Sequence, residues 1–512
     1  MGNNSFIIST VITIFKALNR FYENSILFKN LKRLESLALK GFIVGTIYKY
    51  LNKPTDNNFA EGSLIITVVL KIFATIMNVV RKFYLVLAGL NLGSLNKALF
   101  DKVMSMTAIA SIVNLKVAFG VFIILMSIIP DRMWSNMFIL AAAAGYWGIF
   151  TIQYFLGKRD GFDAKFFPAS LALYIFFCIA SFFTGFGGMD SIRVASIMFA
   201  SVSLGIFVIN VIDDMKSFKL IVGFVFVGLL LSSFYGLLQF AGGIEIRADF
   251  VDLATNQSLP GRLYATMGNP NNYAKFIVML LPFCFAYAVT ADGEVKKIFL
   301  MALLAPIIVV LMLTFSRASY LALAGAVGTF IVIIKPRLVP VGILIFISSI
   351  PLIPDTIIMR MSTVGTDTSS LYRILIWEGA IRVIEHYWIQ GIGIGPRAFN
   401  LIYRAHAHSL AGQAMHSHNV FLNVWIEIGV GGFIAIVAYN LKTLHGGVST
   451  FLQTKNSENK YFLAAGISAL VAFLIFSVVE HVWFYPRTML TYWIMIGLIW
   501  AVIKIDRSEK RA

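Results

Sequence analysis

The run MHSHNVFLNVWIEIGVGGF, residues 415–433, places two histidines one residue apart directly before an apolar, glycine-studded stretch. Four of the seven histidines in the chain, His406, His408, His416 and His418, lie just ahead of that stretch. Three chemistries compete for them. His-x-His pairs supply imidazole ligands to a metal, yet on a helix the two rings point apart, no cysteine is near, and the closest carboxylates are not at a recognised spacing. Histidines also sit hydrogen-bonded at wet interfaces in a purely structural role. A neutral imidazole, finally, is poised to take a proton near pH 7 and can act as a general base.

The second chemistry-bearing set is arginine. Arg132, Arg193, Arg247, Arg262, Arg317, Arg360, Arg373, Arg382, Arg397, Arg404 and Arg487 fall in or beside one alternating set of connections between apolar runs. In that set lysine is represented only by Lys275, at the start of a run. A guanidinium forks onto a phosphate or carboxylate, whereas an ammonium acts as a point charge. Most of these arginines read as interfacial anchors, which leaves a few for function.

These side chains must be positioned by membrane helices. The 512 residues are 58% hydrophobic and 13% charged, against about a quarter charged in an ordinary soluble domain. Apolar runs of roughly 16 to 22 residues exceed the roughly ten-residue alternating strands of a barrel. The expected fold class is therefore all-α, a polytopic integral membrane protein with about twelve spans. They are placed near 115–130, 135–156, 166–186, 194–212, 219–240, 272–291, 297–315, 319–334, 338–353, 419–439, 461–480 and 486–503. The two cysteines, Cys178 and Cys284, lie inside apolar runs and form no ligand or redox pattern.

Orientation follows from the lysines. The connections 157–165, 213–219, 292–297, 335–337 and 440–460, with the tail 506–512, carry them and are expected to be cytoplasmic. The net charge of +17 then points to anionic lipid rather than nucleic acid. Residues 1–114 read as basic amphipathic helices on the cytoplasmic leaflet, with no cleavable signal expected. Residues 115–505 form the membrane core. Within it the connection 354–418 on the arginine side is long, and its segment 369–391 carries Arg373, Glu378, Arg382, Glu385 and His386 among apolar residues. A spanning helix would strand those charges, so the segment reads as an amphipathic interfacial helix, capped by Ser369 or Ser370 and stopped by Gly391.

The spacing from His418–Asn419 to Gly429 and Gly432 resembles the signature of the O-antigen ligase and polymerase family. YATMGNPNNYA (264–274), LTFSRASYLAL (313–323), LYRILIWEGAI (371–381) and IQGIGIGPRAFN (389–400) are similar to other family stretches in the same order. The resemblance covers roughly 115–505 and implies a membrane glycosyltransferase acting at the outer face of the cytoplasmic membrane. It implies an undecaprenyl-diphosphate-linked glycan as donor and a glycan, lipid or protein hydroxyl as acceptor. It also implies His418 as general base and Arg317 and Arg373 as diphosphate ligands, with His416, Arg382, Arg397, Lys275 and Asn419 second in rank. The residues fit that chemistry: a departing diphosphate needs positive charge, and the arginine-side loops offer arginine and no Asp-x-Asp for a metal. No metal or other cofactor is expected.

Asn269 and Asn271 read as caps of the sixth span or as sugar contacts, with capping favoured, Gly429, Gly431 and Gly432 as helix-packing positions, and Glu427 as either orienting a neighbouring helix or tuning His418. A ligase and a polymerase of repeat units both remain open. A twelve-span transporter or lipid flippase is the competing class; it calls for midplane charges and internal repeats, and no repeat is evident.

Overall fold

The computed structural model describes residues 112–159, 168–244, 261–362 and 367–511, together with residues 110, 162 and 365. The amphipathic helices expected in the first 110 residues lie outside this set, as do residues 245–260. The described residues are helical, without strands. In chain order the helices are α1 (Leu115–Ile128), α2 (Met137–Phe155), α3 (Ala169–Thr184), α4 (Met189–Val211), α5 (Met215–Ala241) and α6 (Pro270–Val289). There follow α7 (Glu294–Ala302), α8 (Leu304–Leu313), α9 (Arg317–Ile334), α10 (Val339–Ser349) and α11 (Asp355–Ser362). The last five are α12 (Thr368–Tyr387), α13 (Pro396–Tyr403), α14 (Val420–Gln453), α15 (Ser457–Val479) and α16 (Pro486–Glu509).

Nine segments among the described residues are long and apolar enough to cross a membrane, with α7 and α8 counted as one. Three shorter apolar helices, Leu115–Ile128, Ala169–Thr184 and Pro336–Ser348, occupy the other expected positions. α16 is the hub: 94% of its apolar window is buried, against 17% for α9 at the periphery. Small residues let helices close on it. A Cβ on Gly205 of α4 would sit 2.6 Å from the Trp493 carbonyl oxygen of α16. Polar pairs then fix register, with Tyr492 Oη 3.0 Å from Asn440 Oδ1 and Trp500 Nε1 donating to Thr443 Oγ1 at 3.1 Å.

Starts are set by asparagine and aspartate caps. Asn114, Asp214, Asn269, Asn419 and Asn456 each accept hydrogen bonds from the first turn of the helix they precede. Asp367, rather than Ser369 or Ser370, caps α12 by accepting from the Ser370 amide. The expected cytoplasmic loop 440–460 is shorter than the sequence implies. α14 continues to Gln453, because the apolar–polar boundary near residue 440 falls within a helix whose far end projects past the apolar window.

The lysine-bearing connections share one end of the bundle: Lys116 pairs with Asp213 at 2.9 Å and Lys219 with Glu458 at 2.6 Å. The arginine-bearing connections meet at the other. There Arg487 donates to the Ile129 and Thr266 carbonyls, and its guanidinium lies 4.4 Å from the Trp134 ring centroid.

Candidate functional site

The turn that presents His418 is built from its neighbours. Ser417 donates its amide to Asn423 Oδ1 at 2.9 Å and its hydroxyl to the Asn419 carbonyl at 2.8 Å. Trp377 Nε1 from α12 holds the Ser417 carbonyl at 2.9 Å, and the His418 amide donates to His416 Nδ1 at 3.1 Å. This cage keeps His418 at φ 49°, a left-handed conformation that costs a non-glycine residue about 1–3 kcal/mol. The next residue, Asn419, caps α14 and ties its amide nitrogen to the Val478 carbonyl at 2.8 Å, so its role is to hold the turn against α15.

His418 Nδ1 lies 2.9 Å from Glu480 Oε1, just past the C-terminus of α15. Glu480 is the centre of the site. Lys275 Nζ lies 3.9 Å from the same oxygen, while Arg373 Nη2 and Asn271 Nδ2 reach Oε2 at 3.5 Å and 3.3 Å. Burial alone would raise the Glu480 carboxyl, but Lys275, His418 and Arg373 outweigh it and hold the group well below the usual carboxylate range. Glu480 is therefore ionised at neutral pH. With its Nδ1 proton given to that carboxylate, His418 keeps Nε2 as its basic nitrogen.

A cavity of about 240 Å³ opens on these groups. Its wall carries Arg262, Lys275, Arg317 and Arg373 against the single carboxylate of Glu480, with His416 and His418 alongside. Such a wall favours an anion. Arg373 Nε is buried with no hydrogen-bond partner among the described residues. Lys275, whose side chain is 1% exposed, reaches the site past the rings of Phe476 and Tyr485, 5.9 Å and 5.7 Å from its nitrogen.

Arg317 is not one of the interfacial anchors. Its Nη2 pairs with Asp367 at 2.7 Å, so the α12 cap also fixes the guanidinium at the start of α9. Burial raises the Asp367 carboxyl, but Ser370 and Arg317 more than compensate and lower it. Arg373 pairs across the cavity with Glu480 rather than with Glu378 or Glu385 of its own segment.

The remaining second-rank residues divide. His416 is buried beside His418, with ring centroids 4.2 Å apart; burial and then the neighbouring His418 and His481 depress its basicity. Arg382 lies outside the cavity, 3.7 Å from Glu378 and donating to the His406 carbonyl, because its face of α12 turns away from α15. Arg397, exposed near the start of α13, lines neither this cavity nor the second one described below. His406 and His408 do not line this cavity; they bond locally, to the Ile402 carbonyl and the Leu410 amide.

The structure adds residues that spacing did not assemble: Glu480, Arg262, Asn271 and Asp367. Arg262 donates Nε to the Thr314 carbonyl at 2.9 Å and Nη2 to Asn271 Oδ1 at 2.7 Å, so it fastens the residue 314–316 turn to the start of α6. Asn269 is the cap it was expected to be, whereas Asn271 bridges Arg262 and Glu480. The sequence signal for Glu480 was a lone carboxylate closing the apolar run before HVWFYPR.

His416, His418 and Glu480 bring their ligand atoms within 4.8 Å of one another, a donor set that geometry alone would allow to hold a metal. The ammonium of Lys275 and the guanidinium of Arg373 on the same carboxylate oppose a cation there.

Gly429 does more than let helices pack. At φ 70° and ψ 178° it interrupts α14, and a Cβ there would collide with the Ile389 carbonyl. The backbone groups released by the break are taken by the segment after α12. Ile392 and Gly393 donate to the Ile426 and Glu427 carbonyls at 2.8 Å and 3.0 Å, and the Val430 amide donates to Trp388 at 2.8 Å. Of the two roles expected for Glu427, the structure favours the first: its Oε1 accepts at 3.0 Å from the amide of Gly395, the residue that precedes α13, and it makes no hydrogen bond to His418.

Residues 299–437 match the family described as O-antigen ligase. This stretch runs from α7 into α14 and supports placing the chain in the O-antigen ligase and polymerase superfamily. It contains Arg317, Arg373, His416 and His418, whereas Arg262, Lys275 and Glu480 lie outside it. No curated protein matches the chain.

Proposed function

We propose that this member of the O-antigen ligase and polymerase superfamily is an inverting, metal-independent glycosyltransferase. It transfers a glycan from undecaprenyl diphosphate to an acceptor hydroxyl at the outer face of the cytoplasmic membrane. The observation that carries the reading is the His418–Glu480 hydrogen bond on the wall of a cavity bearing four cationic side chains.

Each part of the reaction has a matching group. The acceptor hydroxyl gives its proton to His418 Nε2 as its oxygen forms the new bond to the anomeric carbon. The bond from that carbon to the diphosphate oxygen breaks on the opposite face, and the leaving group keeps the electron pair. Arg373, Arg317, Arg262 and Lys275 stabilise the charge that develops there. Glu480 orients the imidazole and stabilises the imidazolium that forms. This geometry supports guanidinium groups in the place a metal ion takes in other glycosyl transfers.

The acceptor decides between a ligase, which passes a finished glycan to a lipid or protein, and a polymerase, which joins lipid-linked repeat units. Loss of the gene separates them: full-length lipid-linked polymer accumulates in the first case, single lipid-linked units in the second. The reading itself is tested with purified protein in detergent, supplied with lipid-linked glycan and acceptor but no metal or nucleotide. Product formation that disappears in well-folded His418→Ala is expected and would remove a pure transporter. Undiminished turnover by that variant would overturn the proposal.

A further inference from the structure

A second cavity, of about 230 Å³, lies on the other side of His416. His416 lines both cavities, so one buried imidazole is the partition between them. The two walls differ in chemistry. Where the first is cationic, the second is largely apolar, with the rings of Tyr174, Trp483 and Phe484 and three charge-bearing side chains, Asp190, Arg193 and Glu427. His481 also lines it.

Each feature narrows the occupant. Two carboxyl groups, Asp190 and Glu427, against one guanidinium, Arg193, suit a diphosphate less than the first wall does, and all three offer hydrogen bonds to hydroxyls. Aromatic faces pack against C–H surfaces. A polyprenyl chain offers no hydrogen bond to Asp190, Arg193 or Glu427. A sugar ring, with hydroxyls at its edge and C–H bonds on its face, suits both the aromatic faces and those polar side chains. The volume is below the roughly 300–1,000 Å³ of pockets for drug-sized ligands, in keeping with one or two rings rather than an extended glycan.

We infer that this second cavity is the acceptor subsite, seating the sugar residue whose hydroxyl is glycosylated. The inference rests on the function proposed above and gives it a direction. The donor diphosphate occupies the cationic cavity, the acceptor sugar the aromatic one, and the hydroxyl passes the edge of His416 to reach His418 Nε2. The proton moves to that nitrogen, the carbon–oxygen bond to the acceptor forms, and the diphosphate departs on the far side with the bonding electrons. The break at Gly429 now has a purpose. It frees the Glu427 carbonyl to bind Gly393 and sets the Glu427 carboxylate on the Gly395 amide, which fixes one wall of the subsite.

The test uses purified full-length protein in detergent, lipid-linked donor, and the acceptor fraction extracted from the host envelope, each titrated in turn. Glu427→Gln keeps an acceptor for the Gly395 amide, and Trp483→Phe keeps the ring. In both we expect the acceptor concentration for half-maximal transfer to rise roughly tenfold while that of the donor stays within about twofold. Size-exclusion profiles identify folded variants, and if one fails to fold the other carries the test. Unchanged acceptor dependence in a folded variant, or a shift in donor dependence instead, overturns the subsite assignment while leaving the glycosyltransferase reading intact. No product from the wild-type protein, or normal turnover by His418→Ala, overturns the glycosyltransferase reading and the subsite with it.

Discussion

His418 and Glu480 are 62 positions apart in the chain and hydrogen-bonded at 2.9 Å, Nδ1 to Oε1, across the junction of the turn before α14 and the end of α15. The pairing fixes which imidazole nitrogen is basic. It also explains why a buried carboxylate persists in a cavity otherwise lined by cations. Removing the carboxylate charge should slow the chemical step without weakening substrate binding. For Glu480→Gln we expect kcat to fall by about 10²- to 10⁴-fold, the range of general acid–base contributions, with KM for either substrate little changed. Glu480→Asp should recover part of the rate. Steady-state kinetics on folded protein decide the matter, and a rise in KM at constant kcat would reassign Glu480 to binding.

Arg317 has two duties that a single alanine cannot separate. Its pair with Asp367, a carboxylate whose side chain is 0% exposed, stabilises the junction of α9 with α12. Its place on the cavity wall offers charge to the donor. Breaking a buried pair from one side costs about 3–5 kcal/mol. Arg317→Ala is therefore expected to lower the unfolding temperature and to abolish transfer. Arg317→Ala combined with Asp367→Asn should recover most of the stability and none of the activity. Thermal unfolding run beside the transfer assay distinguishes these outcomes; activity returning together with stability would limit Arg317 to a structural role.

Much of this site was legible before the fold. The spacing of His418 and Asn419 to Gly429 and Gly432 marked the turn, and the alternation of lysine and arginine connections placed Arg317, Arg373 and Lys275 at one end with His418. Glu480 was not legible, since a carboxylate at the end of an apolar run acquires meaning only from the residues packed against it. The Arg317–Asp367 pair was hidden for the same reason: it joins residues 50 positions apart through a cap that sequence assigned to Ser369 or Ser370. Helix spans were readable because burial and hydropathy follow local composition. The break inside α14 was not, because a glycine in an apolar run reads equally well as a packing position.

Gly429 offers a direct test of that break. Any side chain there meets the Ile389 carbonyl, and positive φ adds strain for an L-residue. Gly429→Ala should reduce the yield of monodisperse protein and lower its unfolding temperature. Gly412→Ala, at a glycine with open space around its Cβ position, should leave both unchanged. Equal stability of the two variants would show that the α14 backbone can relax without the interruption.

The pH dependence of stability follows from the buried histidines. Burial, then Lys275, pushes His481 down to about 3, with Glu480 only partly opposing; His416 is depressed in the same direction by burial, His418 and His481. Unfolded, both return to about 6.5. Between the folded and unfolded values the unfolded chain binds more protons, so stability rises with pH across that window and is lost as pH falls below about 6.5. Each histidine contributes at most about 1.4 kcal/mol per pH unit. Glu480, lowered in the folded protein, adds stability that is fully present above its unfolded value and is lost only as pH falls further, through the folded one. Unfolding temperatures measured in one detergent should therefore decline steadily from about pH 7 to about pH 5. His481→Gln, which removes one of the two groups, should show a shallower decline. A flat wild-type profile over that interval would mean that these imidazoles already carry their protons in the folded state, and with them the reading of His416 as a neutral partition would fall.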